Sequence, residues 1–292
     1  MSNDATTFDA DLVGAPSVDQ GDAARNRLVI ALLLVSTFVV FLNETIMSVA
    51  IPHLMADLGV AASAAQWLTT AFLLTMAVVI PVTGFLLQRL DTRPIFLLAM
   101  SIFTAGTLIC AVSPGLELLV LGRVVQAVGT AIMMPLLMTT ILRLVPTHSR
   151  GSVLGTVSIV ISVAPALGPT VSGVILQLLS WRFMFLLVLP IALAAIVIGV
   201  RLLERGGEVR RSSIDVLSVV LAAVGFGGFV YGVSVAGEAP GAFGRPEVLV
   251  PIVVGGLSLI VFVARQLRLQ RRDNPLLDLR VFRFPMFSLS VG

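Results

Sequence analysis

Apolar residues run through this chain in stretches of about twenty, divided by short polar or charged intervals. Eight such stretches lie near residues 28–51, 67–87, 94–113, 116–142, 152–179, 183–201, 215–236 and 247–264. Each matches the length of α-helix that crosses roughly 30 Å of hydrocarbon. The pattern predicts an all-α, polytopic membrane protein. The first 26 residues differ. They are polar, carry Asp4, Asp9, Asp11, Asp19 and Asp22, and cannot bury enough apolar surface to fold alone. They show no basic start, short apolar stretch or small-residue cleavage site of a signal peptide. The first span is therefore expected to stay in the mature protein.

Composition strengthens this picture. The chain is 57% hydrophobic and 12% charged, with a mean hydropathy of +1.04, outside the range of soluble domains. Its 19 basic residues are all arginine. With the N-terminus in the cytoplasm, 16 of these 19 fall on the inner side. Arg182 and Arg245 fall outside, and Arg123 falls within a span. The positive-inside bias thus predicts a cytoplasmic N-terminus in the cell membrane, with eight spans returning the chain to the cytoplasm. The high isoelectric point reads as topology and contact with anionic lipid, not as nucleic-acid binding. Cys110 has no partner and reads as a small core residue. His53 and His148 lack metal-ligand neighbours at useful spacing, so neither a metal nor a cofactor is expected. No hydrolase elbow, zinc-protease, P-loop or dinucleotide-binding motif stands in a suitable context, so the chain is not expected to be an enzyme.

A charge kept inside a span is costly and is a functional candidate by default. Two stand out. Glu44, next to Asn43, lies about eight residues before the outer end of the first span, and Arg123 about seven residues after the outer start of the fourth. At 1.5 Å per residue both are roughly 10 to 12 Å below the outer surface. Two readings follow: a structural role, as an ion pair or with Glu44 protonated and simply hydrogen-bonded, or a coupling carboxyl at Glu44 whose affinity for protons is set by Arg123. Gln126 and Thr130 follow Arg123 at helical spacing and, with Asn43, are candidates either for the substrate cavity or for helix packing. In the fifth span, Ala164, Gly168 and Ser172 recur every four residues to form a smooth, small-residue face. Pro165 and Pro169 lie beside it, remove backbone donors and bend the helix.

Several of these stretches carry a resemblance. From about residue 28 onward the chain resembles the major facilitator superfamily, within it the branch of 14-span drug:proton antiporters. NETIMSVAIP is similar to that branch's first-span signature, with Asn43 where Asp is commonest and Glu44 beside it, so the carboxyl is displaced by one residue. GFLLQRLDTRP resembles the family's loop motif after the second span, which helps gate the cytoplasmic side through charge contacts. Gly84, Leu86, Arg89 and Arg93 match it, whereas Gln88 stands at its acidic position and Asp91 at its second glycine. Arg123, Gln126, Gly129 and Ala131 match a fourth-span motif whose arginine takes part in proton coupling. WRFMF, followed by Pro190, is similar to the start of the branch's sixth span. Gly155, Ala164, Gly168, Pro169, Ser172 and Gly173 follow the antiporter motif of the fifth span, with alanine and serine replacing two of its glycines.

The resemblance implies an organisation and an activity. Residues 28–201 would form a six-helix half of two inverted three-helix repeats. A polar tail (1–27), a charged linker (202–214), an extra helix pair (215–264) and a basic segment opening a ninth span (265–292) would complete the chain. The expected partners are lipid, protons, a small-molecule substrate, and a missing C-terminal half or another protomer. In the family the small face of the fifth span packs against a helix of that second half. The implied function is proton-coupled efflux of drugs or other amphipathic molecules. A metabolite exporter on the same fold, and a truncated, non-transporting chain that acts only with a partner, are the alternatives.

Overall fold

The computed structural model describes residues 20–204, 215–238 and 244–270. Most of the polar tail, most of the charged linker and the start of the expected ninth span lie outside the described residues. Eight long helices account for nearly everything else: α1 (Gln20–Leu58), α2 (Ala62–Arg89), α3 (Thr92–Val112), α4 (Leu116–Leu144), α5 (Arg150–Leu178), α6 (Arg182–Leu202), α7 (Val216–Glu238) and α8 (Pro246–Gln270). All eight are long and apolar enough to cross a membrane, which makes this a multi-pass, all-α membrane protein.

Two boundaries move outward from the hydropathy reading. α1 begins at Gln20, so residues 20–27 belong to a helix and not to the tail. α8 runs to Gln270 and takes Arg265 and Arg268 with it. Hydropathy marks the hydrocarbon layer, but helical hydrogen bonding continues through the polar interface wherever strong helix formers such as the Ala23–Ala24–Arg25 run allow it.

The packing of α1–α6 is symmetric under an exchange of helices. α1 lies on α5 as α4 lies on α2, α1 meets α6 as α4 meets α3, and the pairs α1–α4 and α3–α6 map onto themselves. Exchanging 1 with 4, 2 with 5 and 3 with 6 therefore regenerates the contacts, as two intertwined three-helix repeats require. In a membrane such seams depend on close backbone approach. At Gly129 of α4, a β-carbon would sit 2.4 Å from the Ala99 carbonyl oxygen and 2.8 Å from Phe103 Cβ, so only glycine lets α3 and α4 meet there.

α7 and α8 form a hairpin that docks on α2. Phe85 packs with Ala222 and Phe262, and the rings of Trp67 and Tyr231 stand 5.9 Å apart. At one end of the hairpin Asp215 accepts two hydrogen bonds from Arg265, both 2.8 Å. The buried Gln266 amide donates to Ser218 Oγ at 2.8 Å. At the opposite end of the six-helix bundle, Trp181 Nε1 donates to Asp57 at 2.6 Å, and Arg182 lies over the Trp181 ring and bonds the Ser113 carbonyl. The WRFMF start of α6 is thus tied to the ends of α1 and α3.

α5 buries one narrow stripe: Val157, Ala164, Gly168 and Ser172. Its partners are α1 and, at Ser172, α6, both within this chain. Thr45 donates to the Ala164 carbonyl at 3.3 Å, and Ser172 is fully buried with its hydroxyl 3.5 Å from Met184 Sδ. This corrects the expectation that the small face awaits a helix from a second half. A spacing of four residues identifies a close-packing face but says nothing of which helix fills it.

Candidate functional site

The bundle interior holds two apolar clusters. One gathers Val40, Phe103 and Ile132, the other Ile46, Cys110 and Leu119. Between them, in chain order on α1, α3 and α4, lie Asn43, Thr107, Arg123, Gln126 and Thr130, all buried. Arg123 is 1% exposed. Its Nη1 donates to Gln126 Oε1 at 2.9 Å and to Asn43 Oδ1 at 3.3 Å, and its Nε to the Leu68 carbonyl at 3.4 Å. Its guanidinium carbon stands 4.0 Å above the centre of the Phe72 ring, a cation–π contact strengthened by desolvation. Three helices therefore hold one cation.

The chain of bonds continues. Gln126 Nε2 donates to Thr107 Oγ1 at 2.8 Å, and Thr107 donates to the Phe103 carbonyl at 2.7 Å. Accepting from Arg123 and donating to Thr107 fixes which way the Gln126 amide points. Thr130 donates to the Gln126 backbone carbonyl at 3.0 Å and takes no part in the side-chain relay. Asn43, Gln126 and Thr130 thus sit inside the bundle wall, gripping Arg123 or their own helix.

Every acceptor on Arg123 among the described residues is neutral. Among the described residues no ion pair joins it to Glu44, so the structural ion pair considered from the sequence is not formed. One residue along an α-helix is a rotation of about 100°. Asn43 therefore points to Arg123, while Glu44, half-buried, stands at the edge of the less covered side of α1 that also carries the exposed Ser48 and Pro52. Glu44 remains within electrostatic reach of Arg123. The arrangement is a buried cation without a contacting anion, with one carboxyl close by on an open face.

The other motif residues divide. Gly168 is locked against Thr45, whereas Gly155 and Gly173 have open space where a β-carbon would be. Pro165 and Pro169 are exposed. In the loop motif, Gln88 is exposed and Gly84 has room around it. Arg89 lies 3.6 Å above the Phe85 ring. Asp91 and Arg93 line a cavity at the same end of the bundle. Phe72 and Thr107 were not marked by the sequence, and Thr45 only as part of the NETIMSVAIP stretch. A threonine or phenylalanine inside an apolar run carries no signal until its neighbour is known.

Residues 33–277 match the family profile of the Major Facilitator Superfamily. The chain belongs to that superfamily. Within it, the chain is 43% identical over 271 residues to the lincomycin resistance protein LmrB of Listeria monocytogenes, covering 93% of this chain and 56% of that protein. It is 41% identical over 274 residues to the MFS-type transporter YcnB of Bacillus subtilis, covering 94% and 57%. It is 31% identical over 258 residues to the multidrug export protein EmrB of Haemophilus influenzae, covering 88% and 50%. The chain spans about half the length of the curated superfamily relatives it matches.

Proposed function

We propose that this chain carries the proton-coupling half of a secondary transporter that exports drugs or other amphipathic small molecules in exchange for protons. The observation that carries the reading is the Arg123 site: a buried guanidinium held only by neutral acceptors, with Glu44 one residue beyond its α1 partner. A carboxyl between a low-dielectric core, an open face and a fixed cation is suited to load and release a proton. The drug-resistance and drug-export names of the relatives support the substrate class. In this reading a second six-helix half closes over the open side of α1 and α5, and the cavity between the halves receives the substrate. The arginine distribution supports a cytoplasmic N-terminus.

The test is dye efflux in everted vesicles from cells expressing the gene. Glu44→Gln is expected to abolish proton-driven efflux while leaving downhill exchange of substrate. Full proton-driven efflux in that variant overturns the proposal.

A further inference from the structure

A cavity of about 320 Å³ opens at the end of the bundle where α1 and α3 begin and α4 and α6 end. Its wall includes Arg25, Arg93, Arg143, Thr140, Asp91 and Glu204. None of these belongs to the Arg123 site. The cavity is small, near the lower end of the range that holds ligands, and polar.

Among the described residues two buried hydroxyls lack a hydrogen-bond partner, Ser36 and Thr140, and Thr140 is the one in this wall. It is 2% exposed, and its hydroxyl has no hydrogen-bond partner. The other buried threonines of these helices satisfy theirs on the carbonyl four residues back, as Thr37, Thr104, Thr107 and Thr130 do. An unpaired buried hydroxyl costs about 1–3 kcal/mol, so a donor and acceptor in the wall of a polar cavity point to a ligand atom there. The charges give the sign of that ligand. Glu204 pairs with Arg25. Arg143 uses one N–H on the Leu87 carbonyl, at 3.2 Å, and this aims the rest of its guanidinium. Arg93 completes three guanidiniums against two carboxylates. α3 starts at Thr92 with no side-chain cap on its first amides, which adds the positive end of a helix dipole. Asp91 remains as an acceptor for hydroxyl donors.

We propose that this cavity binds a phosphate-bearing anion through Arg93, Arg143 and the Thr140 hydroxyl. Arginine forks match phosphate oxygens bidentately, and the buried hydroxyl supplies one further donor. The cavity lies level with the ends of the apolar spans α3, α4 and α6, the depth of lipid headgroups. An anionic phospholipid or a soluble phosphate can therefore supply the group.

The experiment uses the purified full chain in nanodiscs of phosphatidylcholine. Phosphatidylglycerol is added in steps to one series and inorganic phosphate to another, with thermal melting and native mass spectrometry of retained lipid as readouts. Wild type is expected to retain phosphatidylglycerol and to melt several degrees higher with it. Arg93→Gln/Arg143→Gln should lower retention about tenfold and Thr140→Val about fivefold, with melting in pure phosphatidylcholine serving as the check that each variant folds. If Arg143→Gln alone fails that check, Arg93→Gln and Thr140→Val carry the test. An equal rise with millimolar phosphate supports the site and assigns it to a soluble anion. Wild type that neither retains phosphatidylglycerol nor melts higher with phosphate, or a response unchanged in both Arg93→Gln and Thr140→Val, overturns the proposal.

Discussion

Asn43, and not its neighbour Glu44, is the α1 side chain that accepts a hydrogen bond from Arg123, at 3.3 Å. The amide holds the cation without neutralising it. The carboxyl, turned about 100° away, stands at the open side of the helix, within electrostatic reach of that charge.

Moving the carboxyl tests this division of labour. Asn43→Asp in a Glu44→Gln background places an anion directly on Arg123, where a charge-assisted hydrogen bond is about twice as strong as a neutral one. The double variant is expected to melt above Glu44→Gln by the equivalent of about 1 kcal/mol in nanodiscs. It should also regain part of the proton-driven efflux in everted vesicles.

The fork of Arg123 reaches acceptors on α1, α2 and α4, which a lysine ammonium cannot do from one position. Arg123→Lys keeps the charge but leaves buried acceptors unpaired, at about 1–3 kcal/mol. A lower melting temperature together with a loss of most proton-driven efflux is the expected result.

At the α1–α5 seam, a β-carbon on Gly168 would lie 2.4 Å from Thr45 Oγ1 and 2.8 Å from its Cβ. Gly168→Val is expected to cost about 1–3 kcal/mol through overpacking, read as earlier thermal unfolding. Thr45→Ala should recover part of the loss from Gly168→Ala in a double-mutant cycle. Gly155→Ala and Gly173→Ala, with open space around them, should leave the melt unchanged or raise it slightly, since alanine favours the helix.

In the α7–α8 hairpin, the hydrogen bonds from Arg265 hold the Asp215 carboxyl down at about 2. The unfolded value is about 3.9, so the folded state favours the ionised form. The stabilisation is fully present above pH ~4 and is lost as pH falls through the folded value. Asp215→Asn should therefore melt lower than wild type at pH 7 by the equivalent of about 1 kcal/mol. The gap should narrow between pH 4 and pH 3.

Much of this was legible in the sequence. Eight spans follow from eight apolar runs, and Arg123 stands out because a cation in such a run needs a reason. The small-residue stripe of α5 was recognisable as a packing face from Ala164, Gly168 and Ser172. What could not be read were partners. Whether Asn43 or Glu44 faces Arg123 depends on helix rotation, and a shift of one residue exchanges them. That α1 covers the stripe depends on which helices are neighbours, which no local pattern encodes. The start of α1 at Gln20 escaped because hydropathy ends where the bilayer core ends.

The exchange symmetry of α1–α6 also has a consequence for how the protein is made. Each repeat uses the other's helices to complete its seams, so neither three-helix unit closes a core alone. As the chain leaves the ribosome, α1–α3 enter the membrane with Asn43, Thr107 and the Leu68 carbonyl waiting for α4. Arg123, costly to insert by itself, arrives when its acceptors on α1 and α2 are already in place and brings Gln126 with it on α4. Insertion and folding are thereby separated in time, and the arrival of the fourth helix is the event that joins them.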